Sequence, residues 1–409
     1  MAGQRRALSC GVRESHGVIK ILTFSTLFPN SVRPGHGVFV ETRLRHLVAS
    51  GEVQASVLAP IPWFPFSHPR FGDYAKFAQA PRSENRFGLE VDHPRYFLPP
   101  KIGMTLAPFL LAVSAKRAIQ RKLAAGADFD LIDAHYFYPD GVAAILLGRW
   151  FKKPVVITAR GTDINLIPQY AIPRRMILWA AERAAGMITV CQALKDAMVE
   201  MGISANAITP LRNGVDLTLF RPMDRAAERA RLQLTRRTLL SVGYLIPRKA
   251  HDLIIRALAD LPETDLLIAG SGPEENALRA LAVQLGVHDR VRFVGALPQA
   301  ELRAYYGAVD AMVLASSREG WANVLLEAMA CGTPVVASRV WGTPEVVASP
   351  DAGVLMPERS AAGVVAGVQA LFAHYPDHAA TRAYAESFSW DDTTRGQIDL
   401  FQKILSKRA

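Results

Sequence analysis

Glu319 and Glu327 are the two residues whose type and spacing most directly suggest binding chemistry. They follow a predicted strand and flank the start of a helix that we predict over residues 324–331, with Asn323 as N-cap and Gly332 as terminator. Amides at a helix N-terminus bind phosphate, and a carboxylate accepts two hydrogen bonds from a sugar diol. The segment predicts a nucleotide-sugar site; the alternative is a surface helix with two solvated glutamates. The predicted contacts are Glu319, Gly320, Trp321, Ala322, Asn323, Val324 and Glu327.

Two adjacent cations, Arg248 and Lys249, follow the predicted strand 238–242. Ligands of doubly wound sheets bind beyond the carboxyl ends of the strands, so this loop is predicted at the edge of a cleft. Two positive charges there would neutralise a diphosphate. The alternative is that both side chains are simply solvated.

Two further polar groups end strands in the first half of the chain. His135 follows the apolar run 131–134 and is predicted to donate to a phosphate or a sugar hydroxyl, or alternatively to be a satisfied buried histidine. Arg160 and Asp163 surround a turn at Gly161, directly after the run 155–158. These groups are predicted at one edge of one sheet.

The elements that must position these residues are apolar runs alternating with helical patterns. Alternation of this kind predicts an α/β protein with parallel sheets and helices on both faces, here two doubly wound Rossmann-like domains facing each other across a cleft. The predicted strands are 18–24, 55–59, 131–134, 155–158, 187–190, 238–242, 266–269, 291–294, 311–315 and 334–337.

Four segments follow from this pattern. The turn residues at 213–216, Asn-Gly-Val-Asp, mark the junction between the halves. We predict a loose tail over 1–16, an N-terminal domain over 17–212, a C-terminal domain over 213–385, and a C-terminal helix over 386–409 that packs back toward the first domain.

The positive charge of the chain lies in its first half. Residues 1–216 hold 26 Lys and Arg against 16 Asp and Glu, whereas the rest of the 409 residues hold 21 of each. Such asymmetry suits nucleic acid, an anionic membrane surface or acidic substrates. Nucleic acid is disfavoured because aromatic residues do not interleave with the basic ones and no recognised motif occurs. Apolar residues at 63–66 and 106–111 suit a lipid-linked acceptor at a membrane, although core packing explains them equally well.

Metal and redox chemistry are disfavoured. Gly270-Ser271-Gly272 lacks the third small residue of a dinucleotide fingerprint, because Glu275 stands there. Asp128 and Asp130 begin their strand, opposite the predicted cleft, and the three cysteines lack metal-ligand spacing. We therefore predict no cofactor and no metal. The unpaired cysteine suits a reducing compartment, so the cytoplasm is the expected location, with a possible place at the inner face of the membrane.

Taken together, these segments resemble the family-4 retaining glycosyltransferases of the GT-B type, over nearly the whole chain. The most specific elements are the glutamate pair, the 213–216 linker, Gly-Ser-Gly-Pro-Glu at 270–274 and Ala-Cys-Gly-Thr-Pro-Val-Val-Ala at 330–337. The runs 242–251, 139–141 and 159–165 look similar to a bacterial branch that makes teichuronic acid and other exopolysaccharides.

The resemblance implies a role for each candidate. Glu319 would contact the donor sugar, Glu327 the ribose and Lys249 the diphosphate. His135 would lie near the transferred bond, and Arg160, Gly161 and Asp163 on the acceptor side. The catalytic set predicted in this way is Glu319, His135, Lys249 and Asp163.

Two positions depart from the family pattern. The family's usual arginine is replaced by Tyr244, so Arg248 is the candidate for the missing charge. The family's paired glycines are replaced by Arg33-Pro34-Gly35-His36-Gly37, in which Gly35 or Gly37 would present an amide to phosphate; we select Gly37 as the donor contact.

The expected activity is metal-independent, retaining transfer of a hexose-type unit from a nucleoside diphosphate sugar to a glycan or lipid-linked glycan, in bacterial surface or exopolysaccharide synthesis. Peripheral contact with an anionic membrane is a further expectation. The alternatives are a nucleotide-sugar epimerase of the same fold and a non-catalytic basic binding protein.

Overall fold

The computed structural model describes residues 17–98 and 103–407, and the predicted tail over 1–16 lies outside them. The strands of the first half are β1 (Ile19–Phe24), β2 (Val53–Leu58), β3 (Ile61–Pro62), β4 (Ser83–Arg86), β5 (Leu89–Asp92), β6 (Arg95–Tyr96), β7 (Leu131–His135), β8 (Val155–Ala159), β9 (Gly186–Thr189) and β10 (Ile208–Pro210). Those of the second half are β11 (Arg237–Val242), β12 (Thr264–Ala269), β13 (Val291–Gly295), β14 (Ala311–Leu314), β15 (Val335–Ala337) and β16 (Gly353–Leu355).

Helices connect most of these strands. They are α1 (Val38–Ala49), α2 (Asp73–Gln79), α3 (Gly103–Ala124), α4 (Val142–Phe151), α5 (Thr162–Asn165), α6 (Ala171–Ala181), α7 (Gln192–Glu200), α8 (Arg225–Arg231), α9 (His251–Ala257), α10 (Glu275–Gln284), α11 (Gln299–Ala308), α12 (Asn323–Ala330), α13 (Thr343–Val346), α14 (Ala361–Ala373), α15 (His378–Glu386) and α16 (Trp390–Ser406). Within the described residues, no helix is both long enough and apolar enough to cross a bilayer.

Two large sheets organise the chain. The N-terminal sheet has the strand order β10-β9-β8-β7-β1-β2-β5-β4, and the C-terminal sheet has the order β13-β12-β11-β14-β15-β16. Within the described residues, the strand pairings of these two sheets are parallel except that of β4 with β5, which is antiparallel. The predicted fold class, two doubly wound domains, is confirmed.

Side-chain alternation shows why the central strands are buried on both faces. In β1, Leu22 and Phe24 join the core below one face of the N-terminal sheet, while Ile19 and Ile21 join the core below the other. Parallel strands covered by helices on both sides read as continuous apolar runs, which is why all ten predicted strands occur within a few residues of their predicted limits.

The chain passes between the two halves at two places that lie against each other. The Val215 amide donates to the Phe388 carbonyl over 3.0 Å. A Cβ at Gly214 would come within 2.6 Å of the Trp390 backbone nitrogen, so only glycine fits there. Segment 213–216 and segment 387–390 therefore form one paired connection between the sheets.

Helix α16 begins after this second crossing and packs on the N-terminal sheet. The Ser389 side chain caps it by accepting from the Asp391 amide. Its apolar stripe, Ile398, Phe401 and Ile404, is buried in the same core as helix α1. Because each such side chain contributes about 1.5–3 kcal/mol when fully buried, this stripe holds the end of the chain firmly on the first half.

Candidate functional site

The candidate residues lie on loops at the carboxyl ends of strands from both sheets, and these loops touch. Gly161, after β8, and Gly320, after β14, approach so closely that a Cβ on Gly161 would lie 2.8 Å from the Gly320 Cα. A Cβ on Gly320 would overlap the Arg160 carbonyl oxygen. Side chains would keep the two halves apart here, so both glycines permit a closed cleft.

Lys249 and Glu319 form the centre of the C-terminal edge. The Lys249 Nζ lies 2.6 Å from Glu319 Oε1, and the Arg248 Nη1 lies 3.6 Å from the same oxygen. Burial opposes ionisation of Glu319, but Lys249 and Arg248 outweigh it and hold the pKa of Glu319 below its usual range. The structure thus brings together three of the residues predicted to bind a donor, as a buried carboxylate between two cations.

Backbone contacts fix these two loops to each other. The Arg248 carbonyl accepts from the Ser317 amide over 2.9 Å, and the Arg248 guanidinium donates to the Arg318 carbonyl over 2.7 Å. Tyr244, which stands at the position of the family's arginine, is 52% exposed and supplies no positive charge. Arg248 therefore lies beside Glu319, as the sequence predicts for the residue that supplies the charge.

The Gly270-Ser271-Gly272 motif supports these loops from the neighbouring strand. A Cβ at Gly270 would overlap the Gly243 carbonyl, and one at Gly272 would overlap the backbone of Leu245. Leu245 in turn donates to the Ser271 carbonyl over 2.9 Å. The motif therefore packs the loops after β11 and β12 against each other.

Glu327 lies in a separate polar nest on helix α12. Its carboxylate accepts from the Tyr306 hydroxyl over 3.0 Å and from the Gln299 amide over 3.2 Å. Burial raises the pKa of Glu327 to about 7, although both hydrogen bonds oppose this. A further hydrogen-bond donor, such as a pair of sugar hydroxyls, would stabilise the ionised form of the Glu327 carboxylate.

The start of helix α12 corrects one prediction. The helix begins at Asn323, and Ala322 occupies the cap position without a side-chain cap, so the prediction that Asn323 is the N-cap is wrong. The Asn323 Oδ1 instead accepts from the Asn213 Nδ2 over 3.2 Å. Trp321 and Ala322 are buried, and Val324 is half-buried in the first turn.

His135 is fully buried, with both ring nitrogens engaged inside the protein. Its Nε2 lies 3.1 Å from Asp133 Oδ2, and its Nδ1 lies 2.7 Å from the Arg160 Nη2. Since guanidinium can only donate, Nδ1 is the acceptor and Nε2 carries the proton. Burial, aided by Arg160 and opposed by Asp133, lowers the pKa of His135 to about 4, so the ring is neutral. His135 thus has the partners of a satisfied buried histidine, which is the alternative interpretation, and its contact with a ligand stays a prediction.

Arg160 connects this histidine to the other half of the molecule. Its Nη1 donates to the Asn213 Oδ1 over 3.1 Å, and its guanidinium carbon lies 5.4 Å from the centroid of the Phe39 ring. Asn213 then reaches Asn323 as described above. A continuous chain of contacts therefore runs from the N-terminal sheet to the start of helix α12.

Asp163, which the resemblance predicts to be catalytic, is engaged by backbone amides of two loops. It is fully buried, and its two oxygens accept from the backbone amides of Phe137, Arg160 and Gly161 at 2.6–3.2 Å. Both oxygens are engaged by these amides, so the side chain clamps the loop that carries Arg160. The catalytic role of Asp163 stays a prediction.

Gly37 stands at the start of helix α1 in a left-handed conformation, with φ of 75°. A Cβ there would overlap the Leu27 backbone, so the position requires glycine for packing as well as for conformation. The first turn of the helix carries Phe39, the ring beneath Arg160. The helix N-terminus therefore points its free amides toward the cleft side of the sheet.

Sequence reasoning missed residues that act through the candidates. Gln397 of α16 donates to Asp133 over 3.0 Å and accepts from Arg43 over 2.8 Å. Asp133 precedes His135 by two residues on β7, so the strand period already places both side chains on one face. Nothing in the sequence connects Gln397 with them. Tyr306 and Gln299, the partners of Glu327, were missed for the same reason.

The two aspartates rejected as metal ligands lie away from this site. Asp128 contacts Lys153 over 3.1 Å, and Asp130 accepts from the Lys20 amide over 2.8 Å at the amino end of β7. Among residues 17–98 and 103–407, no cluster of three or more His, Cys, Asp and Glu side chains has the arrangement of a metal site.

Two facing, mainly parallel sheets, with the Glu319–Lys249 pair beside the Gly161–Gly320 contact between them, define a protein of the GT-B glycosyltransferase class. Residues 35–219 match the family described as Glycosyltransferase Family 4, and residues 223–388 match Glycosyl transferases group 1. A D-inositol 3-phosphate glycosyltransferase of Frankia alni is 34% identical over 311 residues, which cover 69% of this chain and 76% of that protein. The putative teichuronic acid biosynthesis glycosyltransferase TuaC of Bacillus subtilis is 30% identical over 335 residues, 79% and 82% of the two chains. The chain belongs to the family-4 glycosyltransferases.

Solved structures share the fold at lower sequence identity. Sucrose-phosphate synthase from Thermosynechococcus elongatus is 20% identical with a TM-score of 0.76, over 95% of this chain and 99% of that one. Anabaena Alr3699/HepE in complex with UDP-glucose is 19% identical with a TM-score of 0.71, over 94% and 99% of the two chains. These likenesses confirm the predicted two-domain architecture.

Proposed function

We propose that this glycosyltransferase moves a hexose-type sugar from a nucleoside diphosphate donor to a hydroxyl of a glycan or lipid-linked glycan, with retention of configuration and without a metal. The observation that carries the proposal is the buried Glu319 carboxylate between Lys249 and Arg248, directly beside the Gly161–Gly320 contact. It combines an acceptor for sugar hydroxyls with the cations that a departing diphosphate requires.

Charge balance explains how the donor would enter. In the free protein Lys249 and Glu319 neutralise each other. A diphosphate would compete for Lys249 and Arg248, and this would release Glu319 oxygens for the sugar hydroxyls. The start of helix α12 would add backbone amides to the same anion. HepE, in complex with UDP-glucose, supports donor binding in a protein of this fold.

Buried polar atoms at the joint support a polar ligand. Within the described residues, Arg160 Nε, Asn165 Oδ1 and Trp321 Nε1 are buried without hydrogen-bond partners. Such atoms are rare in native proteins because each costs about 1–3 kcal/mol. Arg160 and Trp321 lie on the loops that meet at the Gly161–Gly320 contact, and Asn165 ends the short helix α5 beside them. A bound sugar nucleotide and acceptor would supply partners there.

Glu327 is the proposed contact of the ribose. A diol donates two hydrogen bonds, which would favour the ionised carboxylate and draw its pKa down from about 7. Donor binding should therefore strengthen as the pH rises through neutrality. Tyr306 and Gln299 hold the carboxylate in place for this contact.

Retention is the outcome that the family resemblance implies, and we propose that it occurs by attack on the front face. Asp163 has both oxygens on backbone amides, so it is not positioned as a free nucleophile for a double displacement. In the step that we propose, the acceptor oxygen bonds to the anomeric carbon on the face that the phosphate leaves. The departing phosphate oxygen takes the acceptor's proton. Lys249 and Arg248 stabilise the charge that develops on the diphosphate, and loss of one such preorganised group typically costs about 3–4 kcal/mol.

Metal independence rests on the cations at this site and on the remote position of Asp128 and Asp130. Full activity in excess EDTA is the expected result. Strict dependence on added Mn²⁺ or Mg²⁺ would contradict this part of the proposal.

The proposed acceptor is a glycan or a lipid-linked glycan of a bacterial surface polymer, at the cytoplasmic face of the membrane. The names of two relatives, a teichuronic acid glycosyltransferase and an inositol phosphate glycosyltransferase, support polyhydroxylated acceptors. The basic first half supports contact with anionic lipid. Flotation with anionic liposomes at low salt should recover the protein, and failure to float would contradict membrane contact.

The experiment that tests the activity is a thermal-shift screen of UDP-, GDP- and ADP-sugars, followed by product analysis with the stabilising donor. A ligand at 100 times its Kd stabilises by roughly 2.7 kcal/mol. Transfer to a glycan with retained anomeric configuration is expected. Conversion of the donor to an epimer without any acceptor would instead identify an epimerase, and stabilisation by no sugar nucleotide would overturn the proposal.

A further inference from the structure

An apolar groove of about 770 Å³ lies on the N-terminal half, outside the cleft described above. Its walls come from the loop after β3, the segment after β6 and the first turns of helix α3. Among the side chains that line it are Trp63, Phe64, Phe97, Leu98, Met104 and Tyr138. Sites for small ligands commonly have this volume and this apolar character.

The inner end of the groove is built by the loop that follows His135. Tyr136 and Pro139 line the groove, as does Thr26 from the loop after β1. Thr26 is fixed there, because its amide and hydroxyl donate to the Asp140 carboxylate at 2.8–3.0 Å. The groove therefore ends against the loop that positions the proposed acceptor side of the cleft.

The outer rim of the groove exposes large apolar side chains to solvent. Trp63 is 51% exposed and Phe97 57%, and Phe66, Tyr74 and Met104 are exposed to a similar degree. Contiguous exposed apolar surface of this kind marks an interaction site. The sequence allowed two interpretations of residues 63–66, core packing or contact with a lipid. In the structure Trp63 and Phe64 line the groove, and Phe66 is exposed.

A basic pocket lies beyond this rim, along the second half of helix α3. It measures about 920 Å³ and is lined by Arg82, Arg95, Arg117, Arg121 and Lys122. The carboxylate in its lining, Asp92, pairs with Lys122 over 2.7 Å. A smaller pocket of about 210 Å³ shares Trp63 and Phe64 with the groove, and Arg82 and Arg95 with the basic pocket.

We propose that the groove binds the hydrocarbon chain of a lipid-linked acceptor, while the basic pocket contacts the phosphates of the anionic bilayer from which that chain emerges. The inference rests on the proposed function, which it deepens by naming the acceptor class. Apolar walls favour hydrocarbon over glycan, because a sugar would leave its hydroxyls without partners there. The charge of the neighbouring pocket complements a phosphate-bearing surface.

Binding of a simple probe tests this without any donor. Isothermal titration with octyl glucoside below its micellar concentration should show binding with a negative heat-capacity change, whereas glucose and maltohexaose should bind at least tenfold more weakly. Met104→Glu, on the exposed rim, should weaken octyl glucoside binding at least tenfold. The matched control is Val283→Glu, on the exposed face of α10, which should bind as the unmodified protein does.

Three results would overturn the proposal. Maltohexaose binding as tightly as octyl glucoside would identify a glycan platform. Equal affinity in Met104→Glu and Val283→Glu would place the probe elsewhere. Dissociation of a dimer by Met104→Glu, seen by sedimentation, would show that a second copy of the chain covers the groove.

Activity then separates this inference from the function on which it rests. With an active donor, kcat/KM should be at least tenfold higher for octyl glucoside than for glucose. Met104→Glu should remove that preference, and Val283→Glu should keep it. Equal kcat/KM for octyl glucoside and glucose would contradict hydrocarbon binding in the groove, while the proposed glycosyltransferase activity would stand. Octyl glucoside binding without transfer of sugar from any donor would defeat the proposed function instead.

Discussion

The Lys249 ammonium and the Glu319 carboxylate lie 2.6 Å apart and join the loops that follow β11 and β14. These strands are neighbours in the C-terminal sheet, so the pair is fixed by the sheet itself. In the free protein each of the two side chains restricts the rotamers of the other.

Lys249→Ala should lower kcat at least tenfold, equivalent to about 1.4 kcal/mol in the barrier, because a cation is lost beside the departing phosphate. The pKa of Glu319 should rise toward its usual range or above it, since burial is then opposed only by Arg248 and the hydrogen bond from Ser316. The acid limb of the kcat/KM profile should move to higher pH. Lys403→Ala, at an exposed position in α16, serves as the control. Unchanged turnover in Lys249→Ala would remove this residue from the mechanism.

Glu327→Gln should raise the donor KM with a smaller effect on kcat, since the proposed contact is with the ribose. The substitution also has a pH signature in the free protein. Because the pKa of Glu327 is raised to about 7 in the fold, the native state holds its proton more tightly than the unfolded chain, and stability falls as pH rises from about 4.5 to 7. Glu327→Gln should remove this contribution, which is about 1.4 kcal/mol per pH unit where it is steepest. Urea unfolding across that range measures it, and parallel curves for both proteins would contradict the shift.

Asp133→Asn should lower kcat while leaving the donor KM nearly unchanged. An asparagine can turn its amide N–H toward His135 Nε2, which would move the ring proton to Nδ1 and set two donors, Nδ1–H and Arg160, against each other. Nitrogen NMR of the histidine ring should report the change of tautomer. Gln397→Glu, which keeps the acceptor for Arg43, tests whether the effect depends on Asp133 itself. A normal kcat with an altered tautomer would exclude a positioning part for His135.

Gly320→Ala should prevent the closed arrangement, because the added methyl group overlaps the Arg160 carbonyl. The free energy of unfolding should change little, since the contact lies between the halves, whereas kcat should fall by about 100-fold or more as near-attack geometry is lost. Gly17→Ala provides the control, because no atom lies within 4 Å of the added Cβ. Equal rates in both variants would show that the contact is not needed for transfer.

Some of the site followed from the sequence and some did not, for identifiable reasons. Buried parallel strands can be recognised in the sequence as continuous apolar runs. Arg248 and Glu319 lie in loops that follow two such runs, so both residues could be predicted at the same edge of the C-terminal sheet. The short edge strands β4, β10 and β16 gave too little pattern to be recognised. Asn323 bonds across the halves instead of capping its helix, which local helix signals cannot anticipate. Asp133 and Gln397 are 264 positions apart, and only the folded chain brings them together.

The doubled crossing between the sheets carries a consequence for engineering. Helix α16 packs in the core of the N-terminal half, and its Gln397 contacts Asp133. A hybrid that joins this C-terminal half to a foreign N-terminal half by a single splice would therefore carry a C-terminal helix that does not fit the foreign half. Such hybrids require two splice points, near 213 and near 388, so that each half keeps every piece with which it packs.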